Sequence, residues 1–390
     1  MVRIKIFLRR RMQLMLNLFL KVYRKKYRPR KVIYGNNSDG ISFCSFLVCE
    51  NDLLPKNILS DIEIIKNRVY IPIYCISNGS INTDNCVSDC FITSKGELIN
   101  DITYTCGSNT AEGKNNIFSR FEKTKRPKTI SGVVFSLLSG GGAYHNYYHW
   151  LFESVTRLKI LNESPYKEMV DFYVVPNYAA SFKKETLSVL NIREEQIIDS
   201  KDCPHLKADY VIATGHPNRN ILSTAWSSSF LREIFMSEND EKIKPSEQRK
   251  IYISRKKAST RRIINEELLF QELEILGFEK VFLEDFPFID QVYLFSSSSI
   301  IVSPHGAGLA NLTFAKPNTI VVEIFPPNSE SSIYKNISMV QNLNYVKVNG
   351  VLKERSDEIL NLHSDFIVNV HEILSNIVES AKIDSDLKNY

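Results

Sequence analysis

From about residue 130 onward, two kinds of short apolar run alternate along the chain. Residues 132–138, 172–175 and 210–213 are brief, rich in β-branched or aromatic side chains and bounded by turn residues, so each predicts a buried strand. The run HWLFESVTRLKIL, residues 149–161, is amphipathic, and residues 181–190 predict a helix. The alternation sharpens further on, with strands expected at 250–254, 280–283, 299–303 and 319–324. Helices are expected at 265–276, 288–296 and 307–314. Gly277 sits where the first of these helices needs a left-handed residue to end. Such alternation predicts α/β layering on a parallel sheet, doubly wound in the second half, with ligands beyond the carboxyl ends of the strands.

Ahead of this region, residues 41–48, 69–76 and 89–93 read as strands separated by polar turns. Residues 237–250, SENDEKIKPSEQRK, hold almost no apolar side chain and predict a linker. The expected organisation is an arm over 1–35, an α/β domain over 36–236, the linker, a second α/β domain over 251–355, and one or two helices within 356–390. A chain of 390 residues is long enough for two such cores.

Charge changes the picture at one end only. The formal net charge is +5, yet residues 1–31 contain twelve Lys/Arg and no Asp/Glu, leaving 37 basic and 44 acidic residues beyond them. The body is therefore mildly acidic and offers no face for nucleic acid. In the arm, Leu14, Met15, Leu18, Phe19 and Val22 form one apolar helical stripe between basic clusters. This suits a helix lying on an anionic membrane surface, and equally a solvated basic arm. The stripe is short for a bilayer span and lacks a signal-peptide cleavage pattern. The expected location is the cytoplasm, with peripheral contact at the inner membrane face through residues 1–31. Seven cysteines, six of them in the first third, lack zinc-finger spacing and are expected to be reduced, with no metal bound.

The run SIIVSPHGAGLANLTF carries the clearest chemistry. A buried strand leads into Pro304–His305–Gly306–Ala307–Gly308 and then a helix from Leu309, so backbone N–H groups can approach a phosphate. His305 can donate to a phosphate oxygen or pack on a base. Glu323, at the end of the next strand, is placed to accept from ribose hydroxyls. Taken alone this is also what an ordinary tight turn with a surface Glu looks like. Arg255, just past the strand at 250–254, and Arg261 and Arg262, ahead of the next helix, add guanidiniums that suit a diphosphate. Asn265 and Glu266 read as structural residues at that helix start.

A second constellation is GGGAYHNYYHWLFESVTRL. His149 and Glu153 project from one helical face, Arg157 continues it, and His145 lies just upstream. Glu153 or His149 can take a proton from an attacking hydroxyl, and Tyr148 and Trp150 can stack on sugar faces. The plainer alternative is a packed aromatic helix in which Glu153 pairs with Arg157.

These motifs, in this order, resemble glycosyltransferase family 61. They are Tyr148–His149–Trp150–Leu151 with Glu153, Ser254–Arg255, Arg261–Arg262–Ile263–Ile264–Asn265–Glu266, Gly277–Phe278, Asp290–Gln291, and Pro304 to Asn311 with Val322–Glu323. The resemblance runs from about residue 130 to 330. It implies a GT-B fold, two Rossmann-like domains facing across a cleft, and an inverting, metal-independent transfer that needs no cofactor. The donor would be a nucleoside-diphosphate sugar held by residues 251–355, at Arg255, Arg261, Arg262, His305, Gly306, Ala307, Gly308, Leu309 and Glu323. The acceptor would be a saccharide, met by residues 36–236 at His145, Tyr148, Trp150 and Arg157. Bacterial relatives often serve capsule or surface-polysaccharide synthesis. Where many relatives have Leu-Pro before the Arg, this chain has Val155–Thr156–Arg157, and its first hundred residues match no pattern. Two rivals stand beside this reading: an NAD-dependent oxidoreductase using GAGLAN, and a non-catalytic polysaccharide-assembly protein.

Overall fold

β-Branched residues in alternation, closed by Gly and Asn turns, form most of the sheet edges and cores found here. A computed structural model describes residues 31–33, 41–50, 63–65, 68–84, 88–99, 102–105, 127–140, 142–217, 225–236, 248–351 and 363–388. The amphipathic stripe expected within residues 1–30 lies outside them, as do residues 237–247 of the polar stretch. The chain divides into two units, Met1–Ala179 with Arg193–Pro217, and Ala180–Ile192 with Asn218–Tyr390.

In the first unit twelve strands form one mixed sheet. They are β1 (Lys31–Ile33), β2 (Ile41–Glu50), β3 (Glu63–Ile65), β4 (Arg68–Ser77), β5 (Ser80–Thr83) and β6 (Ser88–Ile92). The remainder are β7 (Glu97–Ile99), β8 (Tyr104–Thr105), β9 (Lys128–Ser136), β10 (Phe172–Val175), β11 (Ile197–Asp199) and β12 (His205–Thr214). The main order is β1-β7-β6-β5-β12-β9-β10-β11. β12, β9, β10 and β11 run parallel, while β4 and β5 add antiparallel to the other edge of β12. The parallel sheet expected from residue 130 is thus one half of a larger mixed sheet. β9 begins four residues before the expected strand, because Lys128–Ile130 pair with Leu206–Ala208 despite their exposure. Ile76, Val134, Val174, Leu206 and Val211 lie in the core on this sheet. Four short helical pieces follow β9: α1 (Gly142–His145), α2 (Tyr147–His149), a π-helical turn (Trp150–Val155) and α3 (Arg157–Asn162).

The second unit contains α4 (Ser181–Val189), α5 (Ala225–Phe235), β13 (Arg249–Ile253), α6 (Glu266–Ile275), β14 (Glu279–Val281), α7 (Phe288–Ser296), β15 (Ser298–Pro304), β16 (Ile320–Phe325), α8 (Ile333–Val340), β17 (Asn344–Asn349) and α9 (Val370–Lys388). Its five strands are all parallel, in the order β14-β13-β15-β16-β17. The order reverses between β13 and β15, and a doubly wound sheet opens its ligand crevice at such a reversal. α6 ends at Gly277, whose φ of +81° supplies the left-handed stop.

The helix expected over 307–314 is present and is of the 3-10 type, Ala307–Phe314. All side chains from Leu309 to Phe314 are buried, so no solvent face sets a 3.6-residue period. Polar side chains hold the segment instead: Arg232 Nη1 donates to the carbonyls of Thr313 and Ala315 at 2.9 and 3.0 Å. Asn311 Nδ2 donates to Gln291 Oε1 at 2.9 Å. The strand expected over 280–283 ends at Val281, and Leu283–Asp285 is a single tight turn.

Candidate functional site

In the first unit, β9 and β12 run parallel and deliver the glycine run and Gly215–His216–Pro217 to the same carboxyl-end edge. Asn146 starts α2, its side-chain oxygen accepting from Tyr148 N and His149 N. The chain then widens into the π turn, a distortion often found beside functional groups. All six residues of that turn are buried. Trp150 is therefore core and presents no face to a sugar, and Tyr148, stacked on Phe152 at 4.9 Å, is buried with it. His145 is exposed and lies edge-on to Tyr144.

Glu153, 2% exposed, stands between two imidazoles. His149 Nδ1 lies 2.7 Å from Oε1, and His216 Nε2 lies 3.3 Å from Oε2. Burial alone would raise this carboxyl, but the charge of His216 and the hydrogen bonds from His149 and His216 outweigh it and hold it at about 2. For His216, burial is the dominant influence and pushes its pKa down. A carboxylate only accepts, so His149 Nδ1 carries the proton and Nε2 becomes the ring's acceptor. Gly142 packs against this ring; a Cβ there would stand 2.9 Å from His149 Cγ. His149 retains 19% side-chain exposure and Glu153 only 3%.

Arg157 does not pair with the Glu153 carboxylate. Its Nε donates to the Glu153 carbonyl at 2.9 Å, and Nη1 to Thr214 O and Oγ1 at 2.9 and 2.8 Å. The side chain is buried and pins the end of β12, which carries His216; the acceptor contact expected of it is replaced by this strut. On the glycine side, buried Asp89 accepts from Gly140 N, and burial pushes it up to about 6 against the pull of Thr83, Gly140 and Arg157.

The depressed Glu153 value fixes the sign of an acid effect. Its stabilisation is complete above the ordinary carboxyl value near 4.5 and is lost as pH falls toward 2. Between pH 5 and pH 3, the first unit's unfolding free energy is expected to drop about 2 kcal/mol further than that of Glu153→Gln. Urea titrations at pH 5 and pH 3 measure this; parallel slopes for both proteins would refute it.

In the second unit the turn after β15 meets the loop after β13 at the sheet reversal. Arg255 lies directly on Gly306, where any Cβ would strike its Nη1, so glycine makes room for the guanidinium. Arg255 is held by Nε and Nη2 to Thr260 O at 3.3 and 3.1 Å. Burial, then the neighbouring Arg261 charge, pushes it down to about 10, and it stays cationic at neutral pH. Arg261 adopts a left-handed backbone, φ +60°, which is strained for a side chain of this kind. Burial lowers its pKa as well, and its Nε is buried without a hydrogen-bond partner. Arg262 turns elsewhere: its Nε and Nη2 grip Asp365 Oδ2 at 2.8 and 2.6 Å.

His305 and Leu309 are buried, whereas Ala307 and Gly308 are partly open. Gly308 is needed because a Cβ would run into Leu283. His305 stacks on Phe325 at 4.9 Å and leans on Tyr334 at 5.2 Å. Its Nδ1 lies 2.5 Å from Glu323 Oε1, while Tyr345 donates to Glu323 Oε2 at 2.7 Å. Glu323 is wholly buried, so it anchors His305 and does not reach out to a ribose. Other motif residues are structural. Glu266 Oε1 accepts from Tyr252 and Ser254 at 2.9 and 2.7 Å, and Asn265 bridges to the backbone of Val368.

The structure thus gathers His149 and Glu153 in one unit, and Arg255, Arg261, His305, Gly306, Ala307 and Gly308 in the other. It leaves Arg262, Arg157, Trp150 and Tyr148 outside these clusters as contact groups. His216, Asp89, Tyr334, Tyr345 and Asp365 were not legible as partners. His216 alone had a local signal, a Gly-His-Pro turn just past a strand.

The region that carries these motifs matches a glycosyltransferase family, which supports a glycosyltransferase. The family model described as Glycosyltransferase 61 matches residues 147–322, and that region belongs to glycosyltransferase family 61. No curated protein matches the chain. The matched stretch contains His149, Glu153, His216, Arg255, Arg261 and the His305–Leu309 turn.

Proposed function

We propose that the chain transfers a sugar from a nucleoside-diphosphate sugar to a saccharide acceptor with inversion at C1, by a GT-B enzyme's division of labour. The observation that supports this is the pair Arg255 and Arg261. Both are half-buried at the crevice of a doubly wound sheet, the charge of Arg261 disfavours that of Arg255, and neither makes an ion pair among the described residues. Half-buried cations with no carboxylate in direct contact favour an anion, and a diphosphate supplies one.

In the proposed step, the acceptor hydroxyl attacks C1 of the donor sugar and its proton passes to a base, for which the first unit offers His149 Nε2. The bond from C1 to the diphosphate oxygen breaks, and its electron pair leaves with the diphosphate, whose charge Arg255 and Arg261 meet. Glu153 holds His149 in the required tautomer and stabilises the imidazolium that forms. Glu153 is too buried, and too firmly ionised between two imidazoles, to be the base itself. The transfer is read as metal-independent, and its setting as capsule or surface-polysaccharide synthesis, with peripheral membrane contact through residues 1–31.

Donor binding stabilises the folded protein by mass action, so a thermal-shift series with UDP-, GDP- and CDP-sugars tests the reading. At a hundred times its Kd, one donor class is expected to stabilise by about 2.7 kcal/mol. A flat response to all three classes, alongside a shift with NAD, would transfer support to the oxidoreductase alternative.

A further inference from the structure

A cavity of about 650 Å³ opens in the second unit, within the range of small-molecule sites. Glu330, Ser331 and Ser332 line it from the loop that leaves the carboxyl end of β16. Lys335 comes from the first turn of α8, and Tyr345 and Lys347 stand two apart on one face of β17.

Two side-chain bridges connect this cavity to His305. Tyr345 donates to Glu323 at 2.7 Å, and Glu323 meets His305 at 2.5 Å. Lys347 Nζ lies 5.4 Å from the centroid of the Phe325 ring, which stacks on His305. In register, Ser303 pairs with Glu323 and Glu323 with Lys347. Neighbouring strands stand about 4.8 Å apart, so the cavity wall at Lys347 is about 10 Å from Ser303, two residues before His305. That is the scale of one nucleoside.

We infer that this cavity takes the nucleoside end of the donor, ribose and base, while the diphosphate runs back over Gly306 and Arg255. The inference rests on the donor reading above and adds the direction in which the donor lies. Glu330 repels phosphate but accepts from vicinal hydroxyls, as a ribose requires. The two serines exchange hydrogen bonds with hydroxyls, and Lys335 and Lys347 donate to base carbonyls. The Lys347–Glu330 ion pair, 3.4 Å and exposed, is weak enough to be traded for ligand contacts. The transferred sugar must leave C1 open to the acceptor. The nucleoside takes no part in bond-making, so a position away from the reacting carbon suits it.

Calorimetry with inorganic pyrophosphate, UDP and GDP separates the two ends. The variants are Glu330→Ala, Lys347→Ala and the wedge Ser332→Trp, all at solvent-facing positions, with thermal unfolding as a folding control. The wild type is expected to bind one nucleotide at least tenfold more tightly than pyrophosphate. The variants are expected to lose that advantage while their pyrophosphate affinity changes less than twofold. Unchanged nucleotide affinity in all three variants, or an equal fall for pyrophosphate, overturns the assignment and leaves the diphosphate site standing. A wild type that binds pyrophosphate as tightly as either nucleotide overturns it in the same way. A wild type that binds none of the probes removes the donor reading, and this inference with it.

Discussion

Arg255→Ala is expected to weaken nucleoside diphosphate binding on the order of 100-fold. A hydrogen bond to a charged group contributes about 1.5–3 kcal/mol, and each 1.4 kcal/mol is tenfold in affinity. Arg255 lies on Gly306 at the crevice, where the proposed diphosphate would sit. Arg261→Gly is expected to cost a similar factor while relieving the left-handed strain at φ +60°. Arg262→Ala is the contrast, changing affinity less than threefold, because its guanidinium is occupied by Asp365. Calorimetry with UDP and GDP measures all three. Equal losses at Arg255 and Arg262 would move the diphosphate away from Gly306. The ligand-free stability of Arg255→Ala should hardly fall, since a desolvated cation beside a like charge is a stability cost kept for function.

His149→Ala is expected to lower kcat by about 10²–10⁴, the usual worth of a positioned general base, with donor affinity unchanged within twofold. The proposed donor contacts, Arg255 and Arg261, are not among the groups this variant removes, so the effect should fall on the chemical step. Glu153→Gln is expected to lower kcat by a smaller factor, because an amide holds the tautomer less firmly and offers no charge to the imidazolium. Steady-state kinetics with the donor identified by thermal shift decide the ranking. If His149→Asn keeps most of the turnover while Glu153→Gln abolishes it, the base is Glu153 and His149 only orients it.

Much of the second unit was readable because its elements are local. β13, α6, α7, β15 and β16 follow runs whose apolar spacing matches one period, and Gly277 marks its helix end within a residue. α8 and β17 escaped notice because each is short, and β17 is an edge strand whose NYVKVN pattern is half polar with a single buried residue. The helix at 307–314 was placed correctly, while its 3-10 type was not legible, since its geometry answers to Arg232 and Gln291 from distant segments. In the first unit the parallel strands were legible. That β4 and β5 would extend the same sheet antiparallel was not, because pairing partners leave no trace in either strand's own sequence.

The candidate chemistry divides along the same line. Residue types and spacing determined the two histidine-bearing turns, the arginine-rich loop, and the four-residue step from His149 to Glu153, because each is a property of neighbouring residues. Folding alone decided which polar groups are spent. Asp365 removes Arg262 from the crevice, Tyr345 and His305 consume Glu323, and His216 joins Glu153 from more than sixty positions away. Hydrogen bonds and ion pairs act over a few ångströms in space, and distance along a chain carries no information about that separation until the sheet has formed.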